Sequence, residues 1–356
     1  MKIKYLFLLA VALCNLFTGV NPVFGQGSLT PPGAPAPTMK TLDQIEPRTP
    51  IAALPFSITN AGSYYLTANL TGVAGQNGIT ITASGVTLDL MGFELAGVAT
   101  SLDGINISAA GTNAAVRNGT VRNWSGDGVK SSSARHCQYQ DLRLSNNGGD
   151  GLDCGPHSTV ANCSALNNGR HGIIAITGAT ISSCTASFNT SRGITASSGN
   201  TISGCTATSN TDNGIDVSES SVISGCVARF NGAAGIVAGG GSTVSGCSAE
   251  VNTGDGIEIA FNSLVLNNAC ANNGFGAGNG AGIKVFTSGN RIEGNNVADN
   301  DRGIEVTAAG NLIIKNSARG NGTNYVFTGT QTFGPTNTIT GEISAADAHP
   351  WRNFSF

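Results

Sequence analysis

The sequence predicts an all-β fold in which a single chain coils into a stack of similar turns, with about 21 residues per coil. Three observations predict this fold class: the composition, an internal repeat and a period-two alternation of apolar residues. The 356 residues include 50 glycines, while only 11% are charged and 6% are aromatic. That mixture is typical of turn-rich β proteins and argues against a helical or α/β enzyme.

The repeat is carried by a glycine that precedes Ile, Leu or Val, called the anchor glycine below. Its ten occurrences are Gly104, Gly128, Gly151, Gly172, Gly193, Gly214, Gly235, Gly256, Gly282 and Gly303. Five consecutive intervals, from Gly151 to Gly256, are 21 residues long. A fixed interval of this length indicates stacked structural repeats.

Apolar and polar residues alternate within repeats such as Ile215, Asp216 and Val217, or Ile257, Glu258 and Ile259. A period of two predicts a strand, and the Gly, Asn and Ser residues between such strands predict tight turns. Strands this short are expected to pair with their copies one coil away, about 4.8 Å along the axis. Side chains at equal positions in successive coils should therefore stack into columns.

Two polar columns accompany the anchor glycines. The first contains Asn123, Asn146, Asn168, Asn189, Asn210, Asn231, Asn252, Asn273, Asn300 and Asn321. The second contains Asn118, Asp141, Cys163, Cys184, Cys205, Cys226, Cys247, Asn268, Asn295 and Asn316. Stacked Asn side chains can satisfy one another's amides when buried, and a cysteine can replace Asn where fewer polar groups need partners. We expect buried free thiols, although the coil spacing also suits disulfides; Cys137, in a longer loop, is the expected exposed thiol.

The chain divides into five predicted segments. Residues 1–25 have the basic start and apolar run of a signal peptide. Residues 26–40 form a Pro-rich linker, residues 41–75 an N-terminal cap, residues 76–328 the repeats and residues 329–356 a capping tail. The protein is therefore expected to be secreted, periplasmic or on the cell surface. No later segment is apolar enough to span a membrane, and the absence of a Lys/Arg cluster argues against nucleic acid as a partner.

The strands, turns and Asn columns resemble the right-handed parallel β-helix of the pectate lyase-like superfamily. The resemblance covers residues 76–328, and the preceding stretch LPFSITNAGSYYLTANLTG is similar to the first coils of exported bacterial β-helix proteins without an assigned activity. It implies a single β-helix, expected to be a monomer, that contacts or processes polysaccharide along its outer face. It does not imply one activity, because sites are grafted onto this scaffold independently. A polysaccharide lyase, a glycoside hydrolase and a non-enzymatic surface protein or adhesin stay open.

Enzymes of this superfamily carry carboxylates and basic residues on the outer face of one sheet. The outward positions here bring acid, imidazole and guanidinium groups together on adjacent coils. The predicted catalytic residues are Asp150, Asp153, His171 and Arg192, and the predicted substrate-binding residues are Asp127, Lys130 and Arg170. Asp150 or Asp153 would act as general acid or base with His171, and Arg192 would hold a sugar carboxylate. The alternative is a solvated ladder of ion pairs with no catalytic role.

Two further features bear on activity. Residues 210–216 resemble the Asn-Thr-Asp-Gly-x-Asp motif of polygalacturonases with one residue inserted, but Ala233 and Ala234 stand where the next coil would need aspartates. No metal-ligand set and no cofactor are predicted; calcium is the ion that the resemblance allows. Aromatic residues are scarce at the predicted outward positions, which argues against strong stacking on sugar rings.

Overall fold

A computed structural model describes residues 47–276, 279–338 and 349–356. The predicted signal peptide and linker, and parts of the two predicted caps, lie outside the described residues, so the segment boundaries stay predictions. The described part of the chain contains strands, turns and bends but no helix. It forms a parallel β-helix of the predicted kind, because every strand pair in it is parallel and successive coils pair with each other. At the C-terminal end Asn353–Ser355 instead folds back to pair between Ser317–Arg319 and Thr336–Thr338.

One sheet, called the anchor sheet, has 13 strands, and the third to the twelfth of these adjoin or contain the ten anchor glycines. Its strands are Phe56–Ile58, Ile79–Ile81, Ile105–Ile107, Val129–Ser131, Leu152–Cys154, Ile173–Ala175, Ile194–Ala196, Ile215–Val217, Ile236–Ala238, Ile257–Ile259, Ala281–Val285, Arg302–Val306 and Thr323–Phe327. Neighbouring strands pair in register, so Ile215 lies beside Ile194 and Ile236.

The second sheet has 26 strands in two columns, which two eight-residue strands join near its N-terminal end. The first column contains Thr49–Ile51, Gly62–Leu66, Val86–Asp89, Ala115–Arg122, Gln138–Ser145, Thr159–Ala161, Thr180–Ser182, Thr201–Ser203, Val222–Ser224, Thr243–Ser245, Leu264–Leu266, Arg291–Glu293, Leu312–Ile314 and Thr332–Phe333. The other strands of the second column are Leu70–Thr71, Glu94–Ala96, Ser164–Leu166, Thr185–Ser187, Thr206–Thr208, Val227–Arg229, Ser248–Glu250, Ala269–Ala271, Asn296–Ala298, Ser317–Arg319, Thr336–Thr338 and Asn353–Ser355.

The core is a stack of small apolar side chains supplied by all three strands of a coil. In one coil these are Ile215 and Val217 from the anchor sheet and Ile223 and Ala228 from the second sheet. Phe56, Tyr64 and Tyr65 are the aromatic residues of the predicted N-terminal cap, where they are expected to cover the open end of the core. Phe56 and Tyr64 pack edge to face, with ring centroids 6.4 Å apart, whereas Tyr65 lies under the guanidinium of Arg48.

The first of the two predicted polar columns is a buried row of hydrogen-bonded Asn side chains, called the Asn ladder. In each step the Nδ2 of one Asn donates to the Oδ1 of the Asn one coil further on, as Asn189 does to Asn210 at 2.9 Å and Asn210 to Asn231 at 3.0 Å. The same Oδ1 also accepts the backbone N–H of the preceding Asn, at 3.1 Å for Asn189. The ladder explains the anchor glycines, since a Cβ on Gly214 would lie 2.6 Å from Asn231 Nδ2.

The prediction was wrong about where the two columns begin. Asn123, Asn146, Asn118 and Asp141 take positive φ angles at the turns, and the residue after each one points inward instead. These inward residues are Trp124, Asn147, Gly119 and Leu142, with Asn147 accepting the N–H of Trp124 at 3.2 Å. Asn and Asp favour left-handed turn positions as well as ladders, so their presence alone did not fix the register.

The five stacked cysteines from Cys163 to Cys247 are buried and free, as predicted. Their column continues into Asn residues, because Cys247 N–H donates to Asn268 Oδ1 at 2.9 Å. Cys154 and Cys270 lie in the core. The prediction for Cys137 was wrong: its side chain is 0% exposed, since it occupies an inward corner position below Ser158, whose Oγ accepts its N–H.

Each ladder ends on an amide oxygen at the C-terminal side. Asn316 Nδ2 donates to Asn353 Oδ1 at 3.2 Å, and Asn321 Nδ2 donates to Asn324 Oδ1 at 2.8 Å. A third ladder, at the corner between the anchor sheet and the first column, contains Ser221 and Ser242 and later Asn290 and Asn311. It ends where Asn311 Nδ2 meets Gln331 Oε1 at 3.3 Å.

Candidate functional site

The candidate site lies on the outer face of the anchor sheet and on the short loop that leads into each of its strands; together they are called the anchor face. The residue before the anchor glycine has a structural task there. Its side chain often accepts the backbone N–H of the equivalent residue in the next coil, as Asp103 does from Asp127 at 2.9 Å and Asp127 from Asp150 at 2.7 Å. These bonds engage carboxylate oxygens that would be judged free for catalysis from the sequence alone.

Asp150 is the most enclosed of the predicted catalytic residues, with 2% of its surface exposed. Its Oδ1 accepts the backbone N–H of His171 at 2.8 Å, and its Oδ2 lies 3.2 Å from Nη1 of Arg170. Both carboxylate oxygens are therefore engaged, one by the backbone and one by an exposed arginine. Burial raises the pKa of neighbouring Asp127, and the charges of Asp150 and Asp103 add to that effect, although Lys130 lies 3.8 Å away.

His171 and Arg192 are adjacent, but they meet through the backbone. Nδ1 of His171 accepts the N–H of Arg192 at 3.3 Å, so this imidazole nitrogen is also part of the coil-to-coil bonding. Loss of solvent lowers the pKa of His171, with Arg170 and Arg192 opposing its positive form as well. The guanidinium of Arg192 points to the next coil, where its Nε lies 3.4 Å from Asp212 Oδ2 and 3.1 Å from Asp216 Oδ2.

Asp153 is the predicted acid whose carboxyl group is best placed for proton transfer. It is half-buried on the strand, beside Lys130 in register, and burial together with the charges of Asp127 and Asp150 raises its pKa to about 6. The nearby exposed ammonium of Lys130 borders a depression of about 580 Å³ that Asp103 and Asn106 also line. The structure thus groups six of the seven predicted residues on three coils and turns the seventh, Arg192, toward a different pair of acids.

A second charged cluster lies further along the same face. Asp255 is buried; its Oδ1 accepts the N–H of Ala281 at 2.6 Å and its Oδ2 lies 3.4 Å from Lys284 Nζ. Lys284 also reaches Glu305 Oε2 at 3.8 Å, and Arg302 Nε lies 3.1 Å from the same oxygen. Lys284 therefore lies between two acids, Asp255 on the preceding coil and Glu305 on the following coil.

Glu258 completes this second cluster and has the most unusual acidity on the anchor face. Burial, a hydrogen bond with Asp255 and the charge of Asp255 raise its pKa to about 7. It lies in register with Lys284 and borders a cavity of about 160 Å³ that Val237 and Phe286 also line. A carboxyl group that exchanges its proton near neutral pH can serve as general acid or general base.

This cluster was not predicted from the sequence. Asp255 lies in the loop just before the strand Ile257–Ile259 and Glu258 lies on that strand, a spacing that the sequence does show. Lys284 lies one coil later, across the lengthened interval between Gly256 and Gly282. More aromatic residues are also exposed than the sequence predicted. Phe261, Phe275 and Phe286 are exposed near this cluster or its loops, and Phe188 and Phe230 are exposed at the turn before the anchor face.

Among residues 47–276, 279–338 and 349–356, no group of three or more His, Cys, Asp and Glu side chains is arranged to hold a metal ion. Within the same ranges, no helix has the length and hydropathy to cross a membrane.

A sequence model for the right-handed β-helix region matches residues 103–263 and again residues 194–342, which together are more than half of the chain. The chain belongs to the right-handed β-helix family. This β-helix protein matches no curated protein sequence. The predicted fold, a right-handed parallel β-helix, is confirmed.

Several solved structures are similar to this β-helix protein. The A-module of the mannuronan C-5 epimerase AlgE6 of Azotobacter vinelandii has a TM-score of 0.55 at 16% identity, covering 80% of this chain and 88% of that one. The Dettilon tailspike protein gp208 has a TM-score of 0.59 at 15% identity, covering 73% and 61%. The tailspike of E. coli bacteriophage HK620 in complex with a pentasaccharide has a TM-score of 0.53 at 12% identity, covering 83% and 71%. At these identities the likeness establishes the fold alone.

Proposed function

We propose that this β-helix protein binds a polysaccharide on its anchor face and that Glu258 exchanges a proton with the bound sugar chain. One observation carries the proposal: a half-buried carboxyl group with a pKa of about 7 lies on the open face of the sheet, hydrogen-bonded to Asp255 and in register with Lys284. An ordinary glutamate is fully ionised at neutral pH and can pair with a lysine in that form. A structural ion pair alone therefore does not require the raised pKa of Glu258.

The arrangement suits acid–base chemistry. Asp255 and Glu258 are two interacting carboxyl groups, and their mutual repulsion favours one proton held on Glu258. Lys284 neutralises the remaining charge on Asp255 at 3.4 Å. In its protonated form Glu258 can give a proton to a glycosidic oxygen, as hydrolysis requires. In its ionised form it can take a proton from a sugar carbon, as lyase or epimerase chemistry requires. Asp153, with a pKa of about 6, offers a second and more acidic group on the same face.

The choice of polysaccharide as ligand draws on fold relatives. The AlgE6 A-module is a mannuronan epimerase, and the HK620 tailspike is described with a bound pentasaccharide. Export of the protein, a monomeric state and a location outside the cytoplasm are part of the same proposal, since the basic and apolar start of the sequence supports a signal peptide.

Incubation with alginate, polygalacturonate and neutral β-glucans, with and without calcium, tests the proposal. Unsaturated ends, new reducing ends or a changed uronate composition would each report processing. Glu258→Gln should lower the turnover about 100-fold, as expected for a lost general acid or base. Glu250→Gln is the matched control, because Glu250 lies in the preceding coil on the second sheet, away from the anchor face.

Asp153→Asn and His171→Ala, measured beside Glu258→Gln, decide which cluster acts. A loss of turnover confined to Asp153→Asn and His171→Ala would move the chemistry to the residues predicted from the sequence. Full turnover in all three variants would refute an acid–base role for the anchor face.

A non-enzymatic binding or surface protein is the second candidate. The bonding of Asp150 favours it, because both of its oxygens already stabilise the coil through His171 N–H and Arg170. Under this alternative the charged groups form a structural ladder. Retention of a polymer without any change in its ends or composition would support binding alone.

A further inference from the structure

One turn of every coil adopts a left-handed backbone. The residue immediately before each Asn of the Asn ladder has a φ between 54° and 61°. In chain order these residues are Asn146, Asn167, Phe188, Ser209, Phe230, Val251, Asn272, Asp299 and Gly320. Gly, Asn and Asp are the residues that this conformation favours, and they occupy the positions toward both ends of the row.

Phe188, Phe230 and Val251 depart from this preference, and of these three only the two phenylalanines are exposed. A left-handed conformation costs about 1 to 2 kcal/mol for a residue that has a Cβ and no local hydrogen bond to offset the cost. Burial does not offset it here, since Phe188 is 59% exposed and Phe230 is 48% exposed. An exposed aromatic residue in a strained position is better explained by an interaction at the surface than by folding.

The two rings lie in coils separated by one intervening coil, whose residue at this turn is Ser209. Two coil steps along the axis amount to roughly 9.6 Å. Two coils beyond Phe230, at the turn of Asn272, the inserted loop presents Phe275, which is 70% exposed. Phe188 and Phe230 thus occupy equivalent turns two coils apart, and Phe275 lies three residues past the equivalent position a further two coils on. These three residues, on the side of the anchor face where its loops begin, are called the aromatic edge.

We propose that the aromatic edge binds an extended polysaccharide chain that runs parallel to the solenoid axis, with one aromatic side chain for every two sugar units. The flat C–H face of a pyranose packs on an aromatic side chain much as other apolar surfaces do. In an extended β-1,4-linked chain alternate sugars present the same face, and the length of two sugar units is close to the two-coil spacing. This inference rests on the proposed function and adds to it the direction of the bound chain.

The surroundings of the rings fit a sugar polymer. The guanidinium carbon of Arg229 lies over one face of the Phe230 ring, 4.5 Å from its centroid, so a sugar would pack on the other face with a hydrogen-bond donor for hydroxyl or carboxylate groups close by. Ser209 separates the two rings in the row, so the apolar surface is interrupted rather than continuous. A regular array of separated rings matches a regular linear ligand better than the continuous apolar patch typical of protein partners.

The double variant Phe188→Asn/Phe230→Asn tests the proposal. Asn146, Asn167 and Asn272 already occupy equivalent turns, so the double variant should fold with unchanged or higher thermal stability. Val222→Thr is the control, because Val222 is exposed on the second sheet. Affinity electrophoresis through gels containing alginate, polygalacturonate or hydroxyethyl cellulose measures binding. In the polymer that retards the wild type, the double variant should bind about tenfold more weakly, a loss of about 1.4 kcal/mol, whereas Val222→Thr should match the wild type.

The outcomes separate the two proposals. Equal retardation of wild type and double variant overturns the aromatic edge and leaves polysaccharide binding on the anchor face intact. A wild type that no polymer retards overturns both. A wild type that is dimeric in light scattering, with a monomeric double variant and no difference in any gel, assigns the aromatic edge to contact between copies of the chain and overturns this inference.

Discussion

Replacing Asn210 by Leu removes one step of the Asn ladder while keeping a side chain of similar size. Asn210 makes four side-chain hydrogen bonds: it accepts from the N–H and Nδ2 of Asn189, at 3.1 and 2.9 Å, and donates to Ala186 O and Asn231 Oδ1, at 3.1 and 3.0 Å. The change leaves three buried groups without these partners, namely both Asn189 donors and the Ala186 carbonyl. At about 1 to 2 kcal/mol for each of these neutral groups, the free energy of unfolding should fall by about 3 to 6 kcal/mol.

Cys205→Ala is the comparison within the same coil. Its sulfur makes only long contacts, 3.4 Å to Ser203 O and 3.7 Å to Ile181 O, so its loss should cost about 1 kcal/mol. Urea unfolding followed by circular dichroism measures both variants. With a slope of about 3 kcal/mol/M, Asn210→Leu should lower the midpoint by about 1 to 2 M and Cys205→Ala by a few tenths. A shift for Asn210→Leu no larger than that for Cys205→Ala would refute the energetic role of the Asn ladder.

Three further outcomes are expected. Gly214→Ala should destabilise the protein by about 3 kcal/mol, because its Cβ would meet Gly235 O at 2.7 Å, whereas Gly199→Ala, with open space but a φ of +72°, should cost about 1 kcal/mol; equal urea midpoints would contradict this order. A thiol reagent should label the five stacked cysteines only after denaturation, and fast labelling of native protein would show that the column is accessible. For Glu258, whose folded pKa of about 7 exceeds the ordinary 4.5, stability should fall as pH rises between these values, and Glu258→Gln should lack that part of the fall in melting temperature.

The fold could be predicted from the sequence because one interval repeats and each column has a physical reason. Gly214 has no room for a side chain beside Asn231, and Asn210 has partners one coil away on either side. The register failed only where two positions accept the same residue types. Asn146 and Asn147 are adjacent, and nothing in their identity tells which one turns inward.

The site was less predictable, because its chemistry depends on how side chains are used. Asp150 has the residue type of a catalytic acid, yet the backbone N–H of His171 occupies one of its oxygens. The raised pKa of Glu258 depends on burial and on contact with Asp255, and neither can be predicted from the spacing of residues in the sequence. Phe230 could not be singled out from the sequence, because its unusual property is a positive φ angle, which only the structure shows.

The three ladders also give the solenoid a direction. In each Asn-to-Asn step, one Nδ2 hydrogen is donated to the Asn on the C-terminal side, so these side-chain bonds all point the same way along the axis. The last members would leave N–H groups exposed if no oxygen followed, and Gln331, Asn324 and Asn353 supply these oxygens. A shortened version of this protein would therefore need those three acceptors moved to its new last coil, whereas removal of a middle coil of 21 residues would leave every donor facing an acceptor.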